Sequence, residues 1–335
     1  MPYSAKHYVI GAMAVTMLAG LSTTAAQAAP DQTTCTWTVR TLPAAPGFTQ
    51  SFSYGTDHGS HVFGAATNDS GITENPAVWS VDGSTPPRLL GSAHGAPTRI
   101  MGLNTAGVAA GYYRDSTGTH AVRHADGGYQ DLPVPAGTNQ AEAVDINARG
   151  DIVGTIDNST IILWPADRPG TYTLLPKVAG DSAEAKGIDD ARNVVGLIVH
   201  DDQLTGYIWN AAGKATPLPA AEAGAWVNPE GIRNGRVVGN ENGPQRDTVV
   251  VFDLSGRPIW RLAEHVGESI NAAGLVLGFH GVPDGAIQQL LRNGAVVAPL
   301  PSEQGFGATG WPSALTDGGW LAGDIQSHVT VARCS

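Results

Sequence analysis

Residues 146–154 read INARGDIVG. The phrase consists of an apolar residue, an Asn or Asp, a short polar turn ending in Gly, an apolar pair and a closing Gly. Further copies, some of them looser, occupy residues 57–64, 103–111, 188–196, 232–239, 270–278 and 315–323. The closing glycines of consecutive copies are 39–47 residues apart. A repeat of this length is typical of four-stranded propeller blades or of two-helix solenoid units.

The third repeat distinguishes between these two possibilities. It predicts strands at 140–147, 151–156, 160–164 and 171–175, separated by turns rich in Gly, Asn, Asp and Pro. Sustained helical spacing of apolar residues is missing from this repeat, which argues against a solenoid. The repeat therefore predicts an antiparallel meander of four short strands.

Two further features keep their register from blade to blade. The third strand ends in a large residue at Trp79, His124, Trp164, Trp209 and Phe252. The fourth strand ends in Leu-Pro or a similar pair, as at Leu132-Pro133 and Leu175-Pro176. Aromatic residues repeated at one register are typical of the core between packed blades, so we assign them to packing rather than to a ligand site.

The two ends of the chain fit together. Residues 36–40 alternate polar and apolar side chains ahead of Leu42-Pro43, which is a fourth strand without a preceding repeat. The last repeat stops after its third strand, so the N-terminal strand should complete that blade and remove the exposed sheet edges. Cys35 and Cys334 then lie where a turn joins these strands in other blades. A disulfide between them is the natural pairing, although two unrelated thiols are the alternative.

We therefore predict an all-β fold, a seven-bladed β-propeller of four-stranded antiparallel blades closed by an N-terminal strand that completes the last blade. Residues 1–28 have the pattern of a secretory signal peptide, with Lys6, an apolar run and an Ala-x-Ala site before Ala29. A transmembrane anchor is the alternative, but the apolar run is short. Residues 29–335 would then form a single propeller domain, secreted and without a membrane span.

Charge excludes some partners. The chain has 19 Lys and Arg residues against 30 Asp and Glu residues, a net charge of -11. Nucleic acid and anionic lipid both require a positive surface, so neither is expected to bind.

The repeat resembles the extracellular HAF-repeat family, whose phrases are IN..G..VG and HAF.W..G....L. The second phrase is matched by His120-Ala121-Val122 and more loosely by Tyr207-Ile208-Trp209. The resemblance implies a secreted propeller, similar in style to kelch repeats. It implies no reaction.

Sequence signatures of catalysis are few. Neither GxSxG nor HExxH occurs after residue 28, so the common nucleophile and zinc-protease motifs are missing. No cofactor is predicted, and calcium is the one ion left open by four acidic segments assigned to loops between strands two and three. These segments are Asn68-Asp69, Asp157-Asn158, Asp201-Asp202 and Asn240-Glu241-Asn242. None has the D-x-D-x-D-G spacing, so turn formation is the simpler interpretation.

One face of the propeller is the predicted binding surface. Connections from strand two to three and from strand four to the next strand one emerge on the same face, which we call the loop face. Residues that break the repeat lie there, namely Trp226, Phe306, Trp311, His94, His200, His265 and His280. Aromatic side chains among polar ones suit a sugar ring or a protein hot spot, and coverage of the channel mouth is the structural alternative.

The sequence thus favours an extracellular protein that binds a glycan or a partner protein without catalysis, as a targeting subunit for example. The first alternative is an extracellular hydrolase or lyase acting on polysaccharide or peptide, with Glu184 and His200 as acid and base. The second is a structural component of the envelope or matrix.

Overall fold

The structure is a computed structural model that describes residues 35–68, 74–178, 180, 182–201, 203–244, 246–282, 285–301 and 312–335. It contains seven four-stranded antiparallel sheets, each formed from strands in sequence order except the last. The predicted seven-bladed propeller is therefore confirmed. The predicted signal peptide at 1–28 lies outside the described residues, and within them no helix has the length and apolarity needed to span a membrane.

The first four blades follow one after another along the chain. Blade 1 is β2 (Gln50–Thr56), β3 (His61–Thr67), β4 (Asn75–Ser80) and β5 (Arg88–Leu89). Blade 2 is β6 (Thr98–Leu103), β7 (Ala109–Asp115), β8 (Gly118–Ala125) and β9 (Gly128–Asp131), after a short 3₁₀ turn at Ala93–Gly95. Blade 3 is β10 (Ala141–Ile146), β11 (Ile152–Ile156), β12 (Thr160–Trp164) and β13 (Thr173–Leu174). Blade 4 is β14 (Ser182–Ile188), β15 (Val194–His200), β16 (Gln203–Trp209) and β17 (Ala215–Pro217).

The remaining blades complete the ring. Blade 5 is β18 (Trp226–Arg233), β19 (Arg236–Asn242), β20 (Asp247–Asp253) and β21 (Pro258–Ala263). Blade 6 is β22 (His265–Ile270), β23 (Val276–Val282), β24 (Gly285–Arg292) and β25 (Ala295–Pro299). Blade 7 is β26 (Pro312–Leu315), β27 (Trp320–Ile325), β28 (His328–Cys334) and the N-terminal β1 (Trp37–Thr41).

The N-terminal strand closes the ring as predicted. β1 pairs with β28 in antiparallel register from Trp37 opposite Cys334 to Thr41 opposite Thr330. A disulfide joins Cys35 to Cys334 across a Cα–Cα distance of 5.4 Å. The disulfide thus occupies the place where a hairpin turn joins these strands in the other blades.

The repeated aromatic and Leu-Pro signals turn out to be one contact. Trp79, Trp164 and Trp209 are all at most 3% exposed. Each indole Nε1 donates a hydrogen bond to the carbonyl of the Leu-Pro proline in the preceding blade, as from Trp164 to Pro133 O at 2.7 Å. The indole is buried between blades while its N–H remains satisfied, which confirms the assignment to the core.

The Asn or Asp of the repeated phrase shapes its own turn and joins blades. Asn147 Oδ1 accepts hydrogen bonds from the backbone N–H groups of Arg149 and Asp151, and Asn147 Nδ2 donates to Asp189 O in the next blade at 3.0 Å. Asn104 and Asn271 make the same two kinds of contact. The sequence predicted the turn, and the structure adds a ring of hydrogen bonds between blades.

The acidic segments are not all loops. Asn240 and Glu241 lie inside β19 and are about 5% exposed, which corrects the prediction that they form a loop. Glu241 Oε1 accepts hydrogen bonds from the N–H groups of Ala221 and Glu222 and so anchors the connection into β18. Asp157 Oδ1 does the same for residues 139 and 140. Within the described residues, no group of three or more His, Cys, Asp and Glu side chains is arranged to hold a metal ion.

Candidate functional site

The first strand of each blade lines the central channel and carries a β-bulge at the same position. Each bulge lies opposite the closing glycine of strand two, as between Ile100 and Gly102 opposite Gly111. The residues at the centre of the bulges are Tyr54, Met101, Val144, Lys186, Glu230, Glu268 and Ser313. The first six line a cavity of about 180 Å³ on the channel axis, which we call the pit.

Two carboxylates from adjacent blades dominate one wall of the pit. Glu230 Oε1 accepts hydrogen bonds from Asn228 Nδ2 at 2.5 Å and from Asn240 Nδ2 at 3.1 Å. Glu268 has no hydrogen-bond partner within the described residues. Burial, followed by the negative charge of the nearby Glu230, raises the pKa of Glu268 to about 7. Burial also raises the pKa of Glu230.

Positive charge in the pit is partly neutralised. Lys186 Nζ lies 2.7 Å from Glu184 Oε1, and the side chain of Glu184 is 57% exposed. On another wall the guanidinium of Arg99 lies 4.4 Å from the ring centre of Tyr54. Arg99 and Glu184 stand two residues before their bulges, and both are exposed. Because strand one starts at the loop face, solvent reaches the pit from that face.

Arg233 lies at the end of strand one that is opposite the loop face. Its Nη2 lies 2.6 Å from Asp317 Oδ2 in blade 7, and its Nη1 lies 3.5 Å from Asp190 Oδ2 in blade 4. The side chain is 16% exposed and pairs with acids of two other blades. This ion-pair network links blades 4, 5 and 7 at that end of the channel.

Two polar side chains line the floor of the pit. The buried carboxylate of Asp145 accepts hydrogen bonds from Ile146 N at 2.8 Å and Ile188 N at 2.9 Å. Burial raises the pKa of Asp145 to about 6 in spite of these bonds. His58 also lines the pit, and its Nδ1 is buried without a hydrogen-bond partner. Burial, followed by the charge of Arg233, lowers the pKa of His58, so its imidazole is neutral near pH 7.

Three predicted binding residues lie at strand ends on the loop face of blades 5 and 6. Trp226 is the first residue of β18 and is half-buried. His265 is the first residue of β22, and its partner across the strand pair is His280, with ring centres 4.9 Å apart. Both histidines were expected in loops and are in strands instead. His280 Nε2 also lies 3.7 Å from Glu264 Oε2, so this part of the loop face is polar.

The other predicted binding residues are spread over different blades. His94 lies in the connection into blade 2, where it contacts the ring of Tyr113 at 5.1 Å and Asp131 Oδ1 at 3.0 Å. His200 ends β15 in blade 4. Phe306 and Trp311 lie outside the described residues. The structure therefore joins His265 with His280 and does not gather the whole predicted set into one site.

The predicted acid and base are not brought together. Glu184 pairs with Leu197 across the β14–β15 ladder, whereas His200 lies three residues further along β15. Since side chains alternate between the two faces of a strand, Glu184 and His200 point to opposite faces, about 10 Å apart along it. This pair is not arranged as an acid and base.

Sequence reasoning missed the pit, although signals for it were present. A glycine recurs at the same position inside strand two of each blade. Such a glycine is a sign of a bulge or a close backbone approach on the paired strand. Arg233 follows Ile232 at the register where Asn104, Asn147 and Asn271 follow their apolar residues. A long cation in place of a turn residue marks blade 5 as different.

We expect Glu268→Gln to stabilise the protein at alkaline pH. The folded protein holds the Glu268 proton up to about pH 7, while the unfolded chain releases it near its ordinary value of 4.5. The stability contributed by the protonated form is complete below pH 4.5 and is lost as the pH rises through 7. At pH 8 the variant should therefore be more stable by about 3 kcal/mol, and near pH 4.5 the two proteins should match.

Urea unfolding at both pH values measures this difference. Glu264→Gln is the matched control, because that side chain is 64% exposed and the variant loses the same charge. A gain that is equal at both pH values, or equal in the control, would contradict the assignment.

Comparison with known proteins gives the fold. No protein-family model matches the chain, so membership of the HAF-repeat family stays a prediction, and no curated protein matches its sequence. Among solved structures, YCF48 bound to D1 peptide aligns with a TM-score of 0.55 and 12% identity over 89% of this chain and 97% of that chain. Virginiamycin B lyase from Staphylococcus aureus aligns with a TM-score of 0.52 and 11% identity over 89% of this chain and 99% of that chain. At these identities the likeness establishes the propeller and no specific function.

Proposed function

We propose that the protein is an extracellular binding protein of the HAF-repeat type, which captures a segment of a partner protein on its loop face without catalysis. The observation that carries this proposal is the pit on the channel axis. Its polar lining includes the carboxylates of Glu230 and Glu268 from adjacent blades, and its rim on the loop-face side carries the exposed Arg99 and Glu184. Propellers support binding and scaffold roles in general, and the proposal assigns the binding role to one face.

A protein segment fits the geometry better than a glycan does. A sugar platform requires an aromatic ring whose face is open, and Trp226 is half-buried at the start of β18. A narrow, charged pit suits the end of one side chain, whose neighbours then lie across the strand ends around the mouth. The YCF48 structure, which holds a peptide, is consistent with this mode in a similar fold.

An extracellular location is supported by the disulfide. Cys35 and Cys334 are the only cysteines in the chain and are bonded to each other. Such bonds persist in oxidising compartments, and the predicted signal peptide at 1–28 agrees with export.

A peptide-display experiment tests the proposal. The disulfide-bonded protein is used to select from a phage library of random linear peptides, and the affinity of the selected peptides is then measured by calorimetry. We expect Trp226→Ala to weaken binding at least tenfold, which corresponds to about 1.4 kcal/mol, because it removes an aromatic anchor beside the mouth. Arg257→Ala is the control, since this side chain is 80% exposed in a turn on the opposite face.

Other outcomes would reject the proposal. Peptides that bind the Trp226→Ala variant and the native protein equally would show that the binding site lies elsewhere. Binding on a glycan array with no peptide selected would favour the sugar-binding alternative. Cleaved peptide or polysaccharide among the products would establish an enzyme.

A further inference from the structure

The pit has an excess of hydrogen-bond acceptors over donors. The acids among its lining residues are Asp145, Glu230 and Glu268, against Lys186 as the base. Lys186 is already paired with Glu184 at 2.7 Å. The pit therefore favours a positively charged ligand, because two adjacent blades each carry a Glu at the bulge position.

A second observation points the same way independently of the carboxylates. His58 lines the pit, and its Nδ1 is buried with no hydrogen-bond partner among the described residues. A buried polar nitrogen left unpaired costs about 1–3 kcal/mol, so an occupant that supplies the missing partner gains this amount back. Since the imidazole is neutral, one of its nitrogens carries a lone pair and can accept from an N–H group.

The size of the pit limits the occupant. A cavity of about 180 Å³ is large enough for several water molecules or for the end of one side chain. A whole folded domain or a long chain segment does not fit in this volume. Ammonium and guanidinium groups have the three or more N–H donors that two carboxylates and one imidazole nitrogen can accept.

We propose that the pit is a subsite for a cationic nitrogen group, the ammonium of a lysine or the guanidinium of an arginine, held by Glu230 and Glu268 and by His58 Nδ1. The chemistry of the subsite stands on the pit alone. The identification of its occupant as part of a partner protein rests on the proposed function.

A single reporter thiol in the pit tests this subsite. The native chain has no free cysteine, and Met101 lines the pit and is 36% exposed, so Met101→Cys introduces one reachable thiol. Its rate of alkylation by neutral iodoacetamide is measured with increasing N-acetyl-lysine methylamide or N-acetyl-arginine methylamide. We expect these probes to slow alkylation at least threefold and saturably. The uncharged norleucine and the anionic glutamate analogues should leave the rate unchanged.

Charge variants then locate the effect. In the Met101→Cys protein, Glu230→Gln with Glu268→Gln should abolish protection, and Glu264→Gln on the exposed loop face should retain it. His58→Phe should weaken protection severalfold. Thermal unfolding of each variant shows that it is folded before its rates are compared.

The proposal fails if the norleucine analogue protects as well as the cations, or if protection survives in the double Gln variant. It also fails if Ca²⁺ or Mg²⁺ protects the thiol and the amines do not. Butylamine separates the two sources of the cation: a free amine that binds more tightly than the lysine analogue would identify a small amine as the occupant. Peptide capture that depends on Trp226 without amine protection would leave the proposed function standing and remove only the subsite.

Discussion

Replacing Gly111 with alanine should destabilise the protein by at least about 3 kcal/mol, because a Cβ there would overlap backbone atoms of the neighbouring strand. An ideal Cβ on Gly111 lies 2.0 Å from the carbonyl oxygen of Arg99 and 2.9 Å from Ile100 Cα. Both contacts are with backbone, so no side chain can move aside. The bulge in β6 brings that carbonyl close, and relieving the clash means breaking the bulge.

The same contact recurs in other blades, and its distance in each blade sets how much stability we expect the Gly→Ala change to cost. An ideal Cβ on Gly154 lies 2.1 Å from the corresponding carbonyl oxygen, whereas an ideal Cβ on Gly239 lies 2.9 Å from it. Gly239→Ala should therefore be milder than Gly111→Ala or Gly154→Ala. Gly128→Ala is the control, since a Cβ there meets nothing within 4 Å and the backbone needs no positive φ.

Guanidinium unfolding with the disulfide intact ranks these four variants. We expect the order of stability Gly128→Ala, Gly239→Ala, then the Gly111 and Gly154 variants together. If Gly111→Ala fails to fold, limited proteolysis of the expressed protein still places it below Gly239→Ala. A Gly111→Ala protein as stable as the Gly128 control would show that the glycine serves local turn formation only.

This glycine also explains where sequence reasoning succeeded and where it stopped. A repeat of about 43 residues, the alternation within strands and the two cysteines specify the ring and its closure, because each depends on spacing alone. Trp164 and Pro133 could each be assigned to the blade core by register. Their mutual hydrogen bond required coordinates.

The pit could not be predicted in this way. Side-chain direction along a strand follows a period of two, and a bulge inserts one residue and shifts that period. Glu230 and Glu268 therefore face the channel at a position that alternation alone would not assign. Arg233 illustrates a second limit, because its partners Asp190 and Asp317 are contributed by two other blades and are brought near only by the closed ring.

Replacing both cysteines with serine should lower the free energy of unfolding by about 4–5 kcal/mol. The disulfide spans 299 residues, for which the chain-entropy model gives about 6 kcal/mol as an upper value, whereas the removal of a native disulfide typically costs about 2–5 kcal/mol. A second effect acts on the native state. β1 is largely exposed, and its pairing with β28 is the seam of the ring.

Hydrogen exchange separates the two effects. If the disulfide acts on the unfolded chain alone, the Cys35→Ser/Cys334→Ser variant loses global stability while the β1 amides of Thr38 and Arg40, which occupy hydrogen-bonded positions of the ladder, exchange only through global unfolding. If it also holds the seam, these amides exchange faster than those of β27. We expect the second pattern. The acceleration of exchange in β1 should be limited, because Leu42 still anchors the end of this strand. Leu42 is 3% exposed and donates its N–H to Val329 O at 2.8 Å.

Leu42→Ala with the disulfide intact is the matched control for the seam. It removes the buried anchor of β1 and leaves the cross-link, so it should speed exchange in β1 while costing about 2–4 kcal/mol of global stability. Combining it with the double Ser variant should release β1 from blade 7 altogether, because neither the anchor nor the cross-link then remains. A seam that stays protected in the combined variant would mean that the five paired residues of β1 close the propeller unaided, and the disulfide would then act only on the unfolded chain.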